Sequence, residues 1–339
     1  MKRFPKVIAL FVIMGVMASL ILGCGSDKQS TAKFDYPKKP INFIIPWGAG
    51  GATDTVGRAV ADAASKHLGQ SMVVVNKPGG SGSLAMEETL KAPADGYTVC
   101  LSSSTVLTVQ PQINKSVKYK ADDFRIVTNI VQNPLFLFVK GDSPWNSVKD
   151  LVEDAKKNNK VLKVGHPGIG SANDMGHAAF FDAVKLDITK VPFKSNGETI
   201  AAIIGGHVDL GAFHPMEAKE FVSAGKLKIL GVFKPQRVDF YPNVPTIAEG
   251  LAEAGYDFEY KNTDFSAWYY LAVPKGTPDA VYNFLVEKMK VTLNEPSFRE
   301  KAKQLNMVVN PLPPTEIANA VKDIEAVNKK IIEKTGMNK

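Results

Sequence analysis

The chain has 339 residues, of which 45% are hydrophobic and 22% are charged. These proportions exclude wholesale disorder and a polytopic membrane protein. The length is comfortable for two α/β lobes that each bury their own core. The formal net charge is +7, of which three units come from Lys2, Arg3 and Lys6 at the N-terminus. The remaining excess is lysine-rich and spread along the chain, without a basic block interleaved with aromatic residues, so nucleic acid is not an expected partner.

The N-terminus has the pattern of an export signal. Basic residues within the first six positions precede an uncharged apolar stretch, residues 7–22, which is shorter than the roughly 20 residues that a spanning helix needs. The sequence ILGC, ending at Cys24, resembles the lipobox of bacterial lipoproteins. We therefore expect a signal peptide over residues 1–23, acylation of Cys24 and a flexible tether over residues 24–35. A simple uncleaved anchor is the alternative interpretation.

From about Tyr36 onward, short apolar runs alternate with segments of helical period, which is typical of βαβ units. The expected strands include residues 41–45, 72–75, 98–101, 135–139 and 162–165, and Cys100 is expected in the core of one of them. Helices are expected from Asp54, over residues 147–158, after Ser171 and from Asp279 onward.

This pattern predicts an α/β protein with a central sheet in each of two lobes, flanked by helices. We place lobe 1 at residues 36–140 plus 263–339, with the C-terminal helices packed on it. Lobe 2 then comprises residues 141–262.

A glycine-rich turn, residues 46–54, joins the first expected strand to the first expected helix. Its glycines allow a ligand to approach the main chain, and the helix that follows offers unpaired N–H groups and the positive end of its dipole. The turn therefore predicts an anion site, the alternative being a turn that serves only topology. Asp54 is expected to cap the helix or to orient donors, with Arg58 as its partner.

In the second lobe, residues 165–171 form another glycine-rich turn between an expected strand and an expected helix. Ser171 can cap the helix, and the glycines are expected to leave backbone donors free for an anion. Two such turns, one from each lobe, predict a ligand cleft between the lobes. His166, which lies in this turn, is expected to be a solvent-exposed loop residue. A third glycine-rich stretch, residues 76–82, is either part of the cleft rim or only a turn.

The patterns of common catalytic sites are missing from the sequence. There is no H-E-x-x-H, C-x-x-C or G-x-S-x-G motif, and the five histidines lack metal-ligand spacing. A dinucleotide fingerprint begins at Gly48, but Thr53 occupies its third glycine position and Asn76 stands where an acidic residue is needed. We therefore expect no enzyme activity, no cofactor and no metal.

Taken together, the motifs resemble the extracytoplasmic solute receptors of the tripartite tricarboxylate transporter family, also called Bug receptors. The resemblance covers nearly all of the chain after the signal peptide. It is carried by residues 46–51 with Asp54 and Arg58, and by residues 75–79, 94–98, 168–171, 191–194, 205–210, 243–246 and 272–278.

The resemblance implies a type II periplasmic-binding fold that captures a small organic carboxylate and delivers it to membrane permease subunits. The receptor would be a monomer, held outside the cytoplasm on a bacterial membrane by its lipid. The resemblance implies ligand contacts at Ala49, Gly50, Gly51, Asp54, Gly168, Ile169, Gly170 and Ser171, with Ser102, Ser103, Ser104, Thr105, Lys194, Ser195 and Asn196 as neighbours. Trp47, Thr53 and His166, which lie in the same two turns, complete the expected ligand-binding residues.

Three positions depart from the pattern of many relatives. Asp174 replaces a histidine, Phe193 replaces a tyrosine, and Trp47 replaces a phenylalanine or tyrosine. Two other functions stay open: a ligand-sensing receptor that feeds a signalling kinase, and an enzyme that binds a phosphorylated cofactor.

Overall fold

The structure is a computed structural model, and it describes residues 35–337. The predicted signal peptide, Cys24 and nearly all of the predicted tether lie outside these residues. The elements below belong to one unit that begins at Pro37. No helix within the described residues is both long and apolar enough to cross a membrane.

Ten strands form two sheets of five. They are β1 (Ile41–Ile45), β2 (Met72–Asn76), β3 (Thr98–Ser103), β4 (Phe124–Asn133), β5 (Phe136–Lys140), β6 (Leu162–His166), β7 (Ile188–Pro192), β8 (Leu210–Phe213), β9 (Leu227–Val232) and β10 (Ala267–Pro274). The strand order is β2-β1-β3-β10-β4 in the first sheet and β7-β6-β8-β5-β9 in the second. Each sheet forms the centre of one lobe, which confirms the predicted α/β architecture.

Helices flank both sheets. In the first lobe they are α1 (Ala52–Leu68), α2 (Ser83–Lys91), α3 (Ser104–Thr108) and α4 (Gln110–Ile113). In the second lobe they are α5 (Val148–Lys157), α6 (Ala172–Val184), α7 (Asn196–Ile204), α8 (Pro215–Ser223) and α9 (Ile247–Glu253). The C-terminal helices are α10 (Asp279–Asn294), α11 (Pro296–Gln304) and α12 (Pro314–Thr335). Short 3₁₀ turns cover Gly80–Gly82 and Ala121–Asp123.

The two sheets follow the same plan. β1 is parallel to β2 and β3, and β6 is parallel to β7 and β8. In each sheet the fourth strand, β10 or β5, is antiparallel to its neighbours and comes directly after the chain has crossed from the other lobe. Because α1 follows β1 and α6 follows β6, both helices begin at the carboxyl ends of parallel strands, where α/β proteins bind ligands.

The first crossing between the lobes lies one strand earlier than predicted. β5 pairs with β8 and β9 of the second sheet, so the chain leaves the first lobe between Asn133 and Phe136 and not near Lys140. The prediction failed because a fully apolar run is typical of any strand that is buried on both faces, whichever sheet it joins.

The last helix, α12, packs on lobe 1 as predicted, and it also contacts lobe 2. Near its start, Ile317 belongs to the apolar cluster of lobe 1 that includes Leu107. Near its end, Ile331 is buried in the cluster of lobe 2 that includes Phe180. The apolar stripe of the helix predicts a buried face, but it carries no information about which partner covers which turn.

Cys100 lies in β3 with no exposed surface, as predicted. Burial raises the pKa of its thiol to about 12. Since the thiolate is the reactive form of cysteine, this residue is a small apolar core group.

Candidate functional site

A cleft lies between the lobes and is lined by residues of both. Its wall from the first lobe consists of Trp47, Gly48, Gly51, Ala52, Thr53, Ser103, Thr105, Ala267 and Tyr269. Its wall from the second lobe consists of Pro167, Ser171, Ala172, Asn173, Lys194, Ser195, Asn196, His214 and Glu217. The cleft therefore lies at the strand ends where the two glycine-rich turns predicted it.

Within the described residues, five helices begin at this cleft, among them α3 and α8, whose N-caps Ser103 and His214 line it. The N-caps of α1, α6 and α7 are Gly51, Ser171 and Ser195, and all three residues line it. The hydroxyls of Ser171 and Ser195 each accept the N–H group three residues ahead, both at 3.3 Å. Other N–H groups in the first turn of a helix have no acceptor inside it, and the helix dipole makes this end positive. The cleft is therefore suited to an anion.

Asp54 organises the first turn from a buried position. Its carboxylate accepts the Gly50 N–H at 2.9 Å, the Arg58 Nε–H at 3.0 Å and the Asn76 side-chain amide at 3.0 Å. Burial acts to raise the pKa of Asp54, but these hydrogen bonds outweigh it and hold the pKa below its usual value. Asp54 thus orients the turn and pairs with Arg58, as predicted.

The N–H of Gly50, however, is not free for a ligand. Its hydrogen bond to Asp54 closes the turn from inside. The prediction that Gly50 offers a free donor is therefore wrong, because its N–H group already donates to the carboxylate of Asp54, four residues ahead. The donors left at the start of α1 are those of Gly51, Ala52 and Thr53, which border the cleft.

The second turn has the same internal bonding. The N–H of Gly170 donates to Asp174 at 2.9 Å, and Asp174 forms an ion pair with Lys190 at 2.6 Å. The N–H of Gly168 donates to the ring of His166 at 3.2 Å. The predicted free donors at Gly168 and Gly170 are therefore engaged within the loop.

These two glycines instead allow the lobes to come close. A Cβ atom at Gly168 would lie 2.7 Å from the hydroxyl of Ser81 in the first lobe. At Gly170 it would lie 2.8 Å from the side-chain nitrogen of Gln110, which donates to the carbonyl of Ile169 at 2.8 Å. The third glycine-rich stretch, which contains Ser81, thus faces the second-lobe turn across the rim of the cleft.

The structure divides the predicted site residues into two groups. Those that line the cleft are Trp47, Gly51, Thr53, Ser103, Thr105, Ser171, Lys194, Ser195 and Asn196. Those that do not are Ala49, Gly50, Asp54, Ser102, Ser104, His166, Gly168, Ile169 and Gly170.

His166 is buried, contrary to the prediction of an exposed loop residue. It is the last residue of β6, and its ring accepts the hydrogen bond from Gly168. Of the departures from the family pattern, Phe193 packs on the core of the second lobe and does not line the cleft. Trp47 packs on the core of the first lobe and also borders the cleft.

Four polar residues of the cleft were missed by sequence reasoning: Asn173, His214, Glu217 and Tyr269. His214 and Glu217 form the capping box of α8, and their spacing was the one available signal. Tyr269 comes from β10, far along the chain from either glycine turn, and burial raises its pKa above the usual value. No local pattern could place this strand beside the turns.

His177 in α6 adds a pH dependence to the stability of the second lobe. It is fully buried, and neither ring nitrogen has a hydrogen-bond partner within the described residues. Burial, opposed by the nearby charge of Asp174, lowers the pKa of His177 to about 3. In the unfolded chain the imidazole of His177 binds a proton below about pH 6.5. In the folded protein it stays neutral until the pH approaches 3. Stability should therefore be lost as the pH falls from 6.5 towards 3.

We expect the substitution His177→Leu to remove this contribution to the pH dependence of the unfolding free energy. Between pH 6.5 and 5 the wild type should lose about 2 kcal/mol more unfolding free energy than the variant. Urea unfolding of both proteins at several pH values measures the difference. Parallel curves for the two proteins would show that His177 does not titrate in this way.

The chain is similar in sequence and in fold to known proteins. Residues 56–337 match the family model described as the tripartite tricarboxylate transporter family receptor. The chain belongs to this receptor family. Among solved structures, the periplasmic binding protein BugD is 29% identical, with a TM-score of 0.80 over 89% of this chain and 99% of BugD.

Two Rhodopseudomonas palustris proteins extend the comparison. One, solved with adipate, is 27% identical, with a TM-score of 0.81 over 89% of this chain and 99% of its own. The other, MatC with bound malate, is 25% identical, with a TM-score of 0.78 over 88% of this chain and 100% of its own. These similarities confirm the periplasmic-binding fold of this receptor.

Proposed function

We propose that this receptor captures a small organic carboxylate in the cleft between its lobes and delivers it to the permease subunits of a tripartite tricarboxylate-type transporter. The observation that carries the proposal is the convergence of the N-termini of α1, α6 and α7, from both lobes, on one cleft. The adipate and malate found in two structural neighbours are both carboxylates, which supports the same ligand class.

The affinity would come from main-chain donors. None of the described residues that line the cleft is an arginine. Hydrogen bonds to a charged group contribute about 1.5 to 3 kcal/mol each. Four of them at about 2 kcal/mol each, from the first turns of α1, α6 and α7, would supply the roughly 8 kcal/mol that micromolar binding needs.

The receptor would act outside the cytoplasm, attached to a bacterial membrane by acylated Cys24. The first 24 residues support this location, because basic residues are followed by an apolar stretch and then by the sequence ILGC. The receptor family to which the chain belongs also has periplasmic members. A tether after Cys24 would allow the two lobes to reach the permease.

Mass spectrometry of acids that co-purify with the protein tests the proposed function. We expect a small carboxylate to be released on denaturation, and the same compound to bind the refolded protein in calorimetric titration. A protein that carries no such acid, and that binds none from a panel of mono-, di- and tricarboxylates and amino acids, would contradict the proposal.

A further inference from the structure

Glu217 gives the cleft a negatively charged group at a place otherwise suited to anions. It is the third residue of α8, partly buried, and it lines the cleft beside Asn196. Within the described residues no lysine, arginine or histidine lies within ion-pair distance of it. The cleft is also lined by Lys194, whose main-chain N–H donates to Glu198 at 3.0 Å but whose exposed ammonium group forms no ion pair within that part of the chain. One unpaired carboxylate and one unpaired ammonium group therefore face the same space.

A chain of hydrogen bonds holds Glu217 in place. The Asn173 side-chain amide donates to the carbonyl of Ala212 and to the Asn196 side-chain oxygen, the latter at 3.2 Å. The Asn196 amide in turn donates to both carboxylate oxygens of Glu217, at 3.0 and 2.9 Å. Because the oxygen of Asn196 faces Asn173, its NH₂ group must face Glu217.

The carboxylate of Glu217 can still accept hydrogen bonds from a ligand. Its two oxygens offer about four acceptor sites. The Asn196 amide uses part of this capacity, and the main-chain N–H of His214 adds a long contact of 3.3 Å. A second carboxylate of a ligand would be repelled at this position, whereas an ammonium group would gain a charge-assisted hydrogen bond.

We propose that Glu217 makes this receptor select a zwitterionic ligand, an amino acid, over the matching acid without an amino group. The ligand carboxylate lies at the helix N-termini and its ammonium group contacts Glu217. Asn173 and Asn196 act as positioning residues, since they fix the direction of the Glu217 carboxylate. This inference rests on the proposed function, because it assumes that the carboxylate of the ligand binds in the same cleft.

The competing explanation is that Glu217 only caps α8. Glu249 provides a stringent control, because it is the third residue of α9 and accepts the main-chain N–H of its N-cap, Thr246, at 2.6 Å. It also forms an ion pair with Arg237 at 3.0 Å, so Glu249→Gln perturbs its helix cap more than Glu217→Gln does. Glu249 does not line the cleft. Replacement of either glutamate by glutamine removes a charge from a helix cap, but only the change at Glu217 alters the cleft.

Calorimetric titration of the wild type, Glu217→Gln and Glu249→Gln tests the inference. The probes are four pairs that differ by the amino group: aspartate and succinate, glutamate and glutarate, alanine and propionate, phenylalanine and phenylpropionate. We expect the wild type to prefer the amino acid in at least one pair. In Glu217→Gln the affinity for that amino acid should fall by about tenfold or more. The affinity for the acid without the amino group should stay the same or increase. Glu249→Gln should bind like the wild type.

The outcomes separate this inference from the proposed function. Preference of the wild type for the deaminated acid, or an equal loss for both members of a pair in Glu217→Gln, overturns the role of Glu217 but leaves carboxylate binding standing. Equal losses in both glutamine variants show that capping alone matters and also overturn it. Failure of all eight probes to bind the wild type counts against both.

Discussion

Replacement of Gly51 by valine should abolish carboxylate binding and leave the protein folded. Gly51 has φ −81° and ψ 173°, an extended conformation that any residue adopts, so valine introduces no backbone strain. The nearest heavy atom to an added Cβ is the Gly48 carbonyl oxygen, at an ordinary 3.6 Å. The new methyl groups would therefore extend into the open space of the cleft, in front of the first N–H groups of α1.

We expect a loss of affinity of about a hundredfold or more, since at least two charge-assisted hydrogen bonds become inaccessible. The melting temperature should change by only a few degrees, because the substitution opens no cavity in the core. Calorimetric titration beside a thermal melt measures both quantities. Gly197→Val is the control: Gly197 lies in the first turn of α7 but does not line the cleft, and its added Cβ would meet only the Ser195 hydroxyl, at 3.7 Å.

The second large effect is expected from Gly170→Ala, which should prevent the lobes from closing. Gly170 has φ +72°, and its added Cβ would overlap the end of the Ile113 side chain and lie 2.8 Å from the Gln110 side chain and 2.9 Å from that of Val109, all in the other lobe. Gly50→Ala is a close control. Gly50 has φ +83° and donates to an aspartate four residues ahead, as Gly170 does, but nothing lies within 4 Å of its added Cβ.

The left-handed backbone conformation alone should cost each alanine variant about 1 kcal/mol of stability. Only Gly170→Ala should also weaken ligand binding by about tenfold or more, since a clash between the lobes opposes the closed form. Small-angle scattering at saturating ligand should give a larger radius of gyration for this variant than for Gly50→Ala. Equal affinities and equal radii would show that the turn does not control closure.

Local patterns in this chain predict the elements well. The apolar run at residues 41–45 coincides with β1, and Ser171 caps α6 as expected. Such features depend on neighbours in sequence: strand propensity, a glycine turn and a capping hydroxyl each act within a few residues. For the same reason the sequence indicated both turns at the cleft, and the resemblance that they carry led to the correct family.

The errors have two causes. The glycines at 168 and 170 appear in the sequence as free donors, but their N–H groups bond to His166 and Asp174 within the same loop, which a glycine pattern does not show. Other errors depend on distant parts of the chain: β5 could be assigned to a lobe only by knowing its partners. Glu217 shows the same limit, because a capping glutamate has the same spacing whether or not its carboxylate borders a cleft.

A crystal structure of the receptor with its co-purified acid tests the central claim most directly. We predict that the carboxylate oxygens lie within about 3.2 Å of main-chain nitrogens in the first turns of α1 and of α6 or α7. An acid held elsewhere, or held in the cleft only by side chains such as that of Lys194, would contradict the account.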